Sequence, residues 1–340
     1  MIDVRKNIAN ERKRFALTLF LLSLILIALF FVSMFLGRFK IPFADVFSLF
    51  TFQEIPDMSS RVISYLRIPR TLCAILIGAA LSVSGTMYQS MFTNHLVSPD
   101  LLGVSSGASV GACLAILLGF SSGFISLFAF IFGFGAVLLT VFLSYTLQNR
   151  SNVIMILCGL AVSGLMSSFV GLMKYLADNE MKLAEMTFWL LGSLAKVTMN
   201  DFFILFPAIV ICCFIALCCS WKLNIISLGE KEAKTLGVNY RFFFILLIAT
   251  ATALTAFSVS VGGTIGWIGL VVPNFVRLIF GSNNKKLIPI SMLSGSILMV
   301  IVDVLSRTLA PNEIPLSIIT GILGTPIFIY AIYKRRMDIR

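Results

Sequence analysis

Phe15–Leu36 reads FALTLFLLSLILIALFFVSMFL, 22 consecutive residues without a charge. A helix needs about 20 apolar residues to cross the hydrocarbon of a bilayer. It also satisfies its own backbone groups there, as lipid requires. A barrel strand would show apolar and polar residues in alternation instead, and none is visible here. Arg5, Lys6, Arg12, Lys13 and Arg14 precede the run and resemble the start of a secretory signal. The run is too long for a signal core and no A-x-A site follows it, so it predicts a retained first membrane helix.

Working outward, similar runs recur at 61–92, 100–119, 124–147, 151–173, 201–220, 241–260, 264–281, 287–309 and 314–333, making ten expected spans. The chain of 340 residues is 59% hydrophobic and 12% charged, with mean hydropathy +1.00, more apolar surface than a water-soluble domain can bury. The expected fold is an all-α polytopic bundle forming one membrane domain over 1–340. It has an N-terminal tail at 1–14, an inner loop at 221–240, outer loops at 38–60 and 174–200, and a C-terminal tail at 334–340.

An even number of spans puts both termini on one side. With the N-terminus inside, sixteen basic residues fall on inner segments and nine on outer ones, Arg277 lying within the eighth span near its inner end. That bias favours cytoplasmic termini and accounts for the net charge of +11 without nucleic acid. The seven cysteines lie in apolar runs and read as small hydrophobes.

Catalytic signals are sparse. No G-x-x-x-x-G-K-[ST] is present, so any ATP is hydrolysed elsewhere. The single histidine, His95, reads as a solvent-facing loop residue, and no nucleophile, base and orienter occur together. Intramembrane charge is costly and counts as a functional candidate. Asp303 and Arg307, four apart, can pair on one helix face, either for function or to make insertion tolerable. Arg277 is placed to snorkel toward the interface. Segments rich in small residues, Gly78–Gly85, Gly103–Gly111, Gly262–Gly269 and Gly321–Pro326, are expected to face the bundle interior.

The polar segment Leu228-Gly-Glu-Lys-Glu-Ala-Lys-Thr-Leu-Gly-Val238 predicts a helix of about two turns between Gly229 and Gly237. Glu230 and Lys234 are placed to pair, and Leu228, Ala233 and Leu236 offer apolar contacts. So short a helix needs a partner surface, either another protein or lipid headgroups.

With these segments the chain resembles the FecCD family of ABC importer permeases, which includes vitamin B12 and ferric siderophore permeases, from about residue 60 to 333. The carriers are Leu66-Arg-Ile-Pro-Arg70, Gly78-Ala-Ala-Leu-Ser-Val-Ser-Gly85, Ser98-Pro-Asp-Leu-Leu-Gly-Val-Ser-Ser-Gly-Ala108, the 228–237 loop, Gly263-Thr-Ile-Gly-Trp-Ile-Gly-Leu-Val-Val-Pro273, and Asp303-Val-Leu-Ser-Arg307 with Glu313-Ile-Pro315 and Gly324-Thr-Pro326. The resemblance implies a ten-helix permease of the bacterial cytoplasmic membrane working by alternating access with a second permease, two ABC ATPase subunits that bind ATP and Mg, and an extracytoplasmic binding protein. No cofactor is expected on this chain itself.

It further implies ATPase coupling through Leu228, Gly229, Glu230, Ala233, Leu236 and Gly237, and binding-protein docking through outward Arg67, Arg70 and Arg307. The rival reading makes Arg67 and Arg70 interface anchors. Gly78, Gly85, Gly103, Gly107, Gly263, Gly266, Gly269 and Pro273 are implied in helix packing or the translocation path. Asn94-His-Leu-Val97, Pro273-Asn274 and Pro315-Leu-Ser317 depart from the family pattern. A ferric siderophore is the expected cargo, with haem or cobalamin as alternatives. An ion-coupled carrier would be expected to hold several midplane acids, and Asp303 is the one plausible candidate.

Overall fold

A computed structural model describes residues 2–37, 39, 41–42, 57–147, 152–177 and 180–338, and every regular element among them is helical. The order is α1 (Ile2–Phe35), α2 (Asp57–Arg61), a π-helical turn (Val62–Arg67), α3 (Ile68–Met91), a 3-10 turn (Pro99–Leu102), α4 (Val104–Leu117), α5 (Ser122–Thr146), α6 (Asn152–Tyr175) and α7 (Glu180–Leu191). Then come α8 (Met199–Cys218), α9 (Ser220–Ile226), α10 (Glu230–Thr235), α11 (Tyr240–Gly262), α12 (Ile268–Phe280), α13 (Asn284–Thr308) and α14 (Leu316–Asp338).

Among the described residues, eight helical stretches are long and apolar enough to cross a membrane. The other two expected spans, α4 and α12, have 14 and 13 residues, a rise of about 20 Å against a hydrocarbon core of about 30 Å. Each follows backbone that leaves helical geometry. Gly103, in the left-handed region at φ +89°, lies between the 3-10 turn and α4, and Gly263, at φ +69°, ends α11.

The sequence missed α7, which occupies the expected outer loop 174–200 and buries Met186, and also α9 in the inner loop. Both are shorter than a span and carry polar residues, so neither stood out as an apolar run. The expected tail 1–14 is helical from Ile2 onward and continuous with the first span. Arg38, Lys40, Arg150, Arg340 and residues 43–56 of the 38–60 loop lie outside the described residues.

α3 is the central post. The most apolar window of α2–α3 is 83% buried, against 0% for that of α1. Small residues make this possible. A Cβ on Gly78 would lie 2.3 Å from the Gly295 carbonyl oxygen of α13, and one on Gly85 would lie 1.8 Å from that of Gly269 in α12. Hydroxyls add cross-links: Ser84 Oγ donates to the Ala251 carbonyl at 2.8 Å, Ser296 Oγ to that of Ile75 at 2.8 Å, and Tyr88 and Thr252 share a hydrogen bond of 2.7 Å. Interhelical bonds of this kind average about 0.6 kcal/mol in a membrane, so they fix register more than they supply stability.

Candidate functional site

At one end of the bundle, the loop between α9 and α11 forms the expected helix, α10. Gly229 at φ +110° and Gly237 at φ +71° bracket it, in conformations that side chains rarely adopt. Glu230 and Lys234 pair at 2.8 Å, as their spacing predicts. Ala233 corrects one expectation: it is fully buried, against Ile225, Val238, Tyr240 and Phe243 of its own chain. It therefore anchors α10 and offers no outer contact. Leu228 and Leu236 remain 59% and 56% exposed.

At the opposite end lies a charge cluster. Arg70 Nε donates to Asp303 Oδ1 at 2.5 Å and its Nη1 to Glu313 Oε1 at 2.8 Å. Arg307 Nε stands 3.5 Å from Asp303 Oδ2, and its Nη2 donates to the Ser33 carbonyl at 3.0 Å. Arg67 donates to the carbonyls of Met34 and Phe39. The expectation of outward arginines is thus corrected. Arg67, Arg70 and Arg307 are only 4%, 7% and 6% exposed, because α1 and α13 close over the start of α3. The Asp303–Arg307 pair exists, yet Arg70 is the tighter partner of Asp303. No helix-face spacing could reveal a partner 233 residues away. Removing charges from water costs several kcal/mol each, offset here by mutual attraction and carbonyl acceptors.

Between the ends, residues 263–266 leave the helix and Trp267 sits in the left-handed region at φ +72°, a conformation costing about 1–3 kcal/mol. Gly321 and Gly324 of α14 leave room for its indole, which meets Phe328 edge-on. Irregular backbone at membrane depth persists only where protein satisfies it. Here Ser193 N donates to the Gly262 carbonyl at 3.0 Å, Leu316 N to that of Gly192 at 3.0 Å, and Thr264 Oγ1 to that of Leu190. Ser317 Oγ donates to the Thr264 carbonyl at 2.5 Å. That departure from the family pattern therefore adds a tie between α14 and the unwound segment.

Gly107 abuts the Phe132 carbonyl oxygen, 2.5 Å from a built Cβ, Gly269 that of Leu81 at 2.9 Å, and Gly263 that of Trp189 at 2.4 Å. Gly266 has nothing within 4 Å of a built Cβ, so no contact among the described residues requires glycine there. Pro273 is buried within α12. Next to it Asn274 Nδ2 donates to the carbonyls of His95 and Leu270, both at 2.8 Å, joining two of the three departures. His95 is part-buried rather than solvent-facing. Arg277 turns inward instead of snorkelling: it is 9% exposed and donates to Gln89 Oε1 at 2.8 Å.

This geometry contains helix breaks at depth, a protruding helical loop at one end and no converging group of three or more His, Cys, Asp or Glu among the described residues. The all-helical multi-pass arrangement is that of a transport permease. The chain belongs to the FecCD transport family of ABC importer permeases, whose model matches residues 25–334. It is 38% identical over 324 residues to the molybdate import system permease protein MolB of Haemophilus influenzae, covering 94% of this chain and 95% of that one. It is 33% identical over 286 residues to an iron chelatin transport system permease protein of Helicobacter pylori, covering 84% and 86%. A solved inward-facing structure assigned to the metal-chelate type of ABC transporter superposes with TM-score 0.85 at 38% identity, covering 93% of this chain and 98% of that one.

Proposed function

We propose that this chain is the translocation subunit of an ABC importer in the bacterial cytoplasmic membrane, with both termini and the 228–237 loop cytoplasmic. The observation that carries the reading is the exposure of Leu228 and Leu236, which flank a six-residue helix anchored from behind by Ala233. The segment has a fixed base and an unspent leucine at each end, which suits a cleft in an ATPase subunit. Cytoplasmic placement is supported by the excess of basic residues on that side. A second permease, a copy or a paralogue, two ATPase subunits holding ATP and Mg, and an extracytoplasmic binding protein complete the machine.

Replacing Leu228 and Leu236 together by aspartate should lower uptake and substrate-stimulated ATPase activity of the assembled transporter by about tenfold or more, the loss expected when an apolar anchor worth 1.4 kcal/mol is removed. The amount of inserted permease should not change. Full activity in the double variant would overturn the coupling role of α10.

Docking through Arg67, Arg70 and Arg307 needs restating on this geometry. A docking carboxylate would reach Arg70 by replacing Glu313, whose side chain is 30% exposed. In our reading the three arginines chiefly hold α1, α3 and α13 together.

The cargo we propose is a metal species delivered by the binding protein. A ferric siderophore is supported by the iron chelatin relative. Molybdate is favoured by one specific observation, the 38% identity that extends over 94% of the chain. Uptake of labelled molybdate, ferric siderophores, haem and cobalamin by cells with and without this chain separates the two. Selective loss of molybdate uptake would remove the siderophore reading, and selective loss of iron uptake would remove molybdate.

A further inference from the structure

We propose that the cleft between α5 and α11 holds one acyl chain of an anionic phospholipid, with its headgroup at Arg241. The cavity has a volume of about 700 Å³, within the range of small-molecule sites. It runs from Tyr145 and Arg241, near the helix ends beside the 228–237 loop, to Phe134 and Thr252. That is eleven residues along each helix, about 16 Å, and one leaflet of hydrocarbon is about 15 Å deep. The cleft thus has the length of a single lipid tail.

Its chemistry changes along that length as a lipid's does. Val137 and Ile248 form a buried apolar back wall, while Leu138 and Ile245 at the lips are 58% and 53% exposed, so the cleft opens at the bundle surface. At the deep end the Thr252 hydroxyl is engaged with Tyr88 at 2.7 Å, leaving an apolar terminus for a methyl end. At the mouth the Arg241 guanidinium lies over the Tyr145 ring, 5.2 Å from its centroid. An arginine held on an aromatic ring at helix ends is suited to a phosphate at headgroup level. Glu230 also borders the mouth and is ion-paired with Lys234 at 2.8 Å. The headgroup therefore sits against the start of α10. The proposal does not depend on which cargo is carried.

The full-length chain, passed through vesicles of equal phosphatidylglycerol and phosphatidylcholine and re-extracted in mild detergent, can be weighed by native mass spectrometry. Wild type should carry one phosphatidylglycerol. Ala249→Trp, which fills the cleft, should lower its occupancy about tenfold, equivalent to 1.4 kcal/mol, and Val141→Trp serves the same purpose if that variant melts below wild type. Arg241→Gln should keep a bound lipid while its preference for phosphatidylglycerol disappears. Wild-type lipid occupancy in a folded tryptophan variant would overturn the proposal, as would equal binding of the two lipids by wild type. A lipid-free wild type in which Leu138→Cys cross-links to a second copy would assign the cleft to protein instead.

Discussion

Asp303→Ala should lower stability by about 3–5 kcal/mol, the cost of removing one partner from a buried ion pair. Asp303 is fully buried and takes both Arg70, at 2.5 Å, and Arg307, at 3.5 Å. Without it two buried guanidiniums face each other, with Glu313 at 2.8 Å from Arg70 as the remaining carboxylate in the cluster. The loss should appear as a lower melting temperature in detergent and as reduced insertion. Adding Arg70→Met should recover part of it, since the second substitution removes one of the stranded charges; the two effects are then non-additive. If Asp303→Ala melts like wild type, or the two losses simply add, the cluster does not hold α3 and α13 together.

Gly85→Ala should cost at least the 1–3 kcal/mol typical of overpacking, and about the upper end of that range. The added methyl would meet the Gly269 carbonyl oxygen at 1.8 Å and its carbon at 2.6 Å. Both are backbone atoms, so no rotamer change relieves the contact and α3 and α12 must separate. Gly266→Ala is the matched control, because nothing lies within 4 Å of its added carbon. Melting temperatures measured side by side should fall for the first and stay near wild type for the second. Equal melting of both variants would mean that α3 and α12 tolerate separation at this crossing.

Much of the architecture was legible because each signal is local. The apolar runs gave the long helices within a few residues, apart from the start of α1, which lies at Ile2 inside the expected tail, and Gly229 and Gly237 bracketed α10 as the spacing predicted. α7 was not legible: its polar residues hid a helix that buries Met186 against other elements. In the site, the Glu230–Lys234 pair was readable from an i to i+4 interval. Ala233 is expected beside Leu228 and Leu236 as an apolar contact for a partner, whereas it packs into its own chain, because so short a helix has too few residues to show which face turns inward.

The sequence by itself determined that the chain lives in lipid, where its long apolar helices lie and which family motifs it carries. These follow from the length and hydropathy of contiguous segments, which the bilayer reads one helix at a time. Only the tertiary structure decided that Arg67, Arg70 and Arg307 face inward, that Arg70 rather than Arg307 is the tighter partner of Asp303, and that Asn274 meets the His95 carbonyl. Each depends on which helix crosses which, and crossing is set by close backbone approach at glycines such as Gly85 and Gly269. That is a pairwise property of segments far apart in the chain.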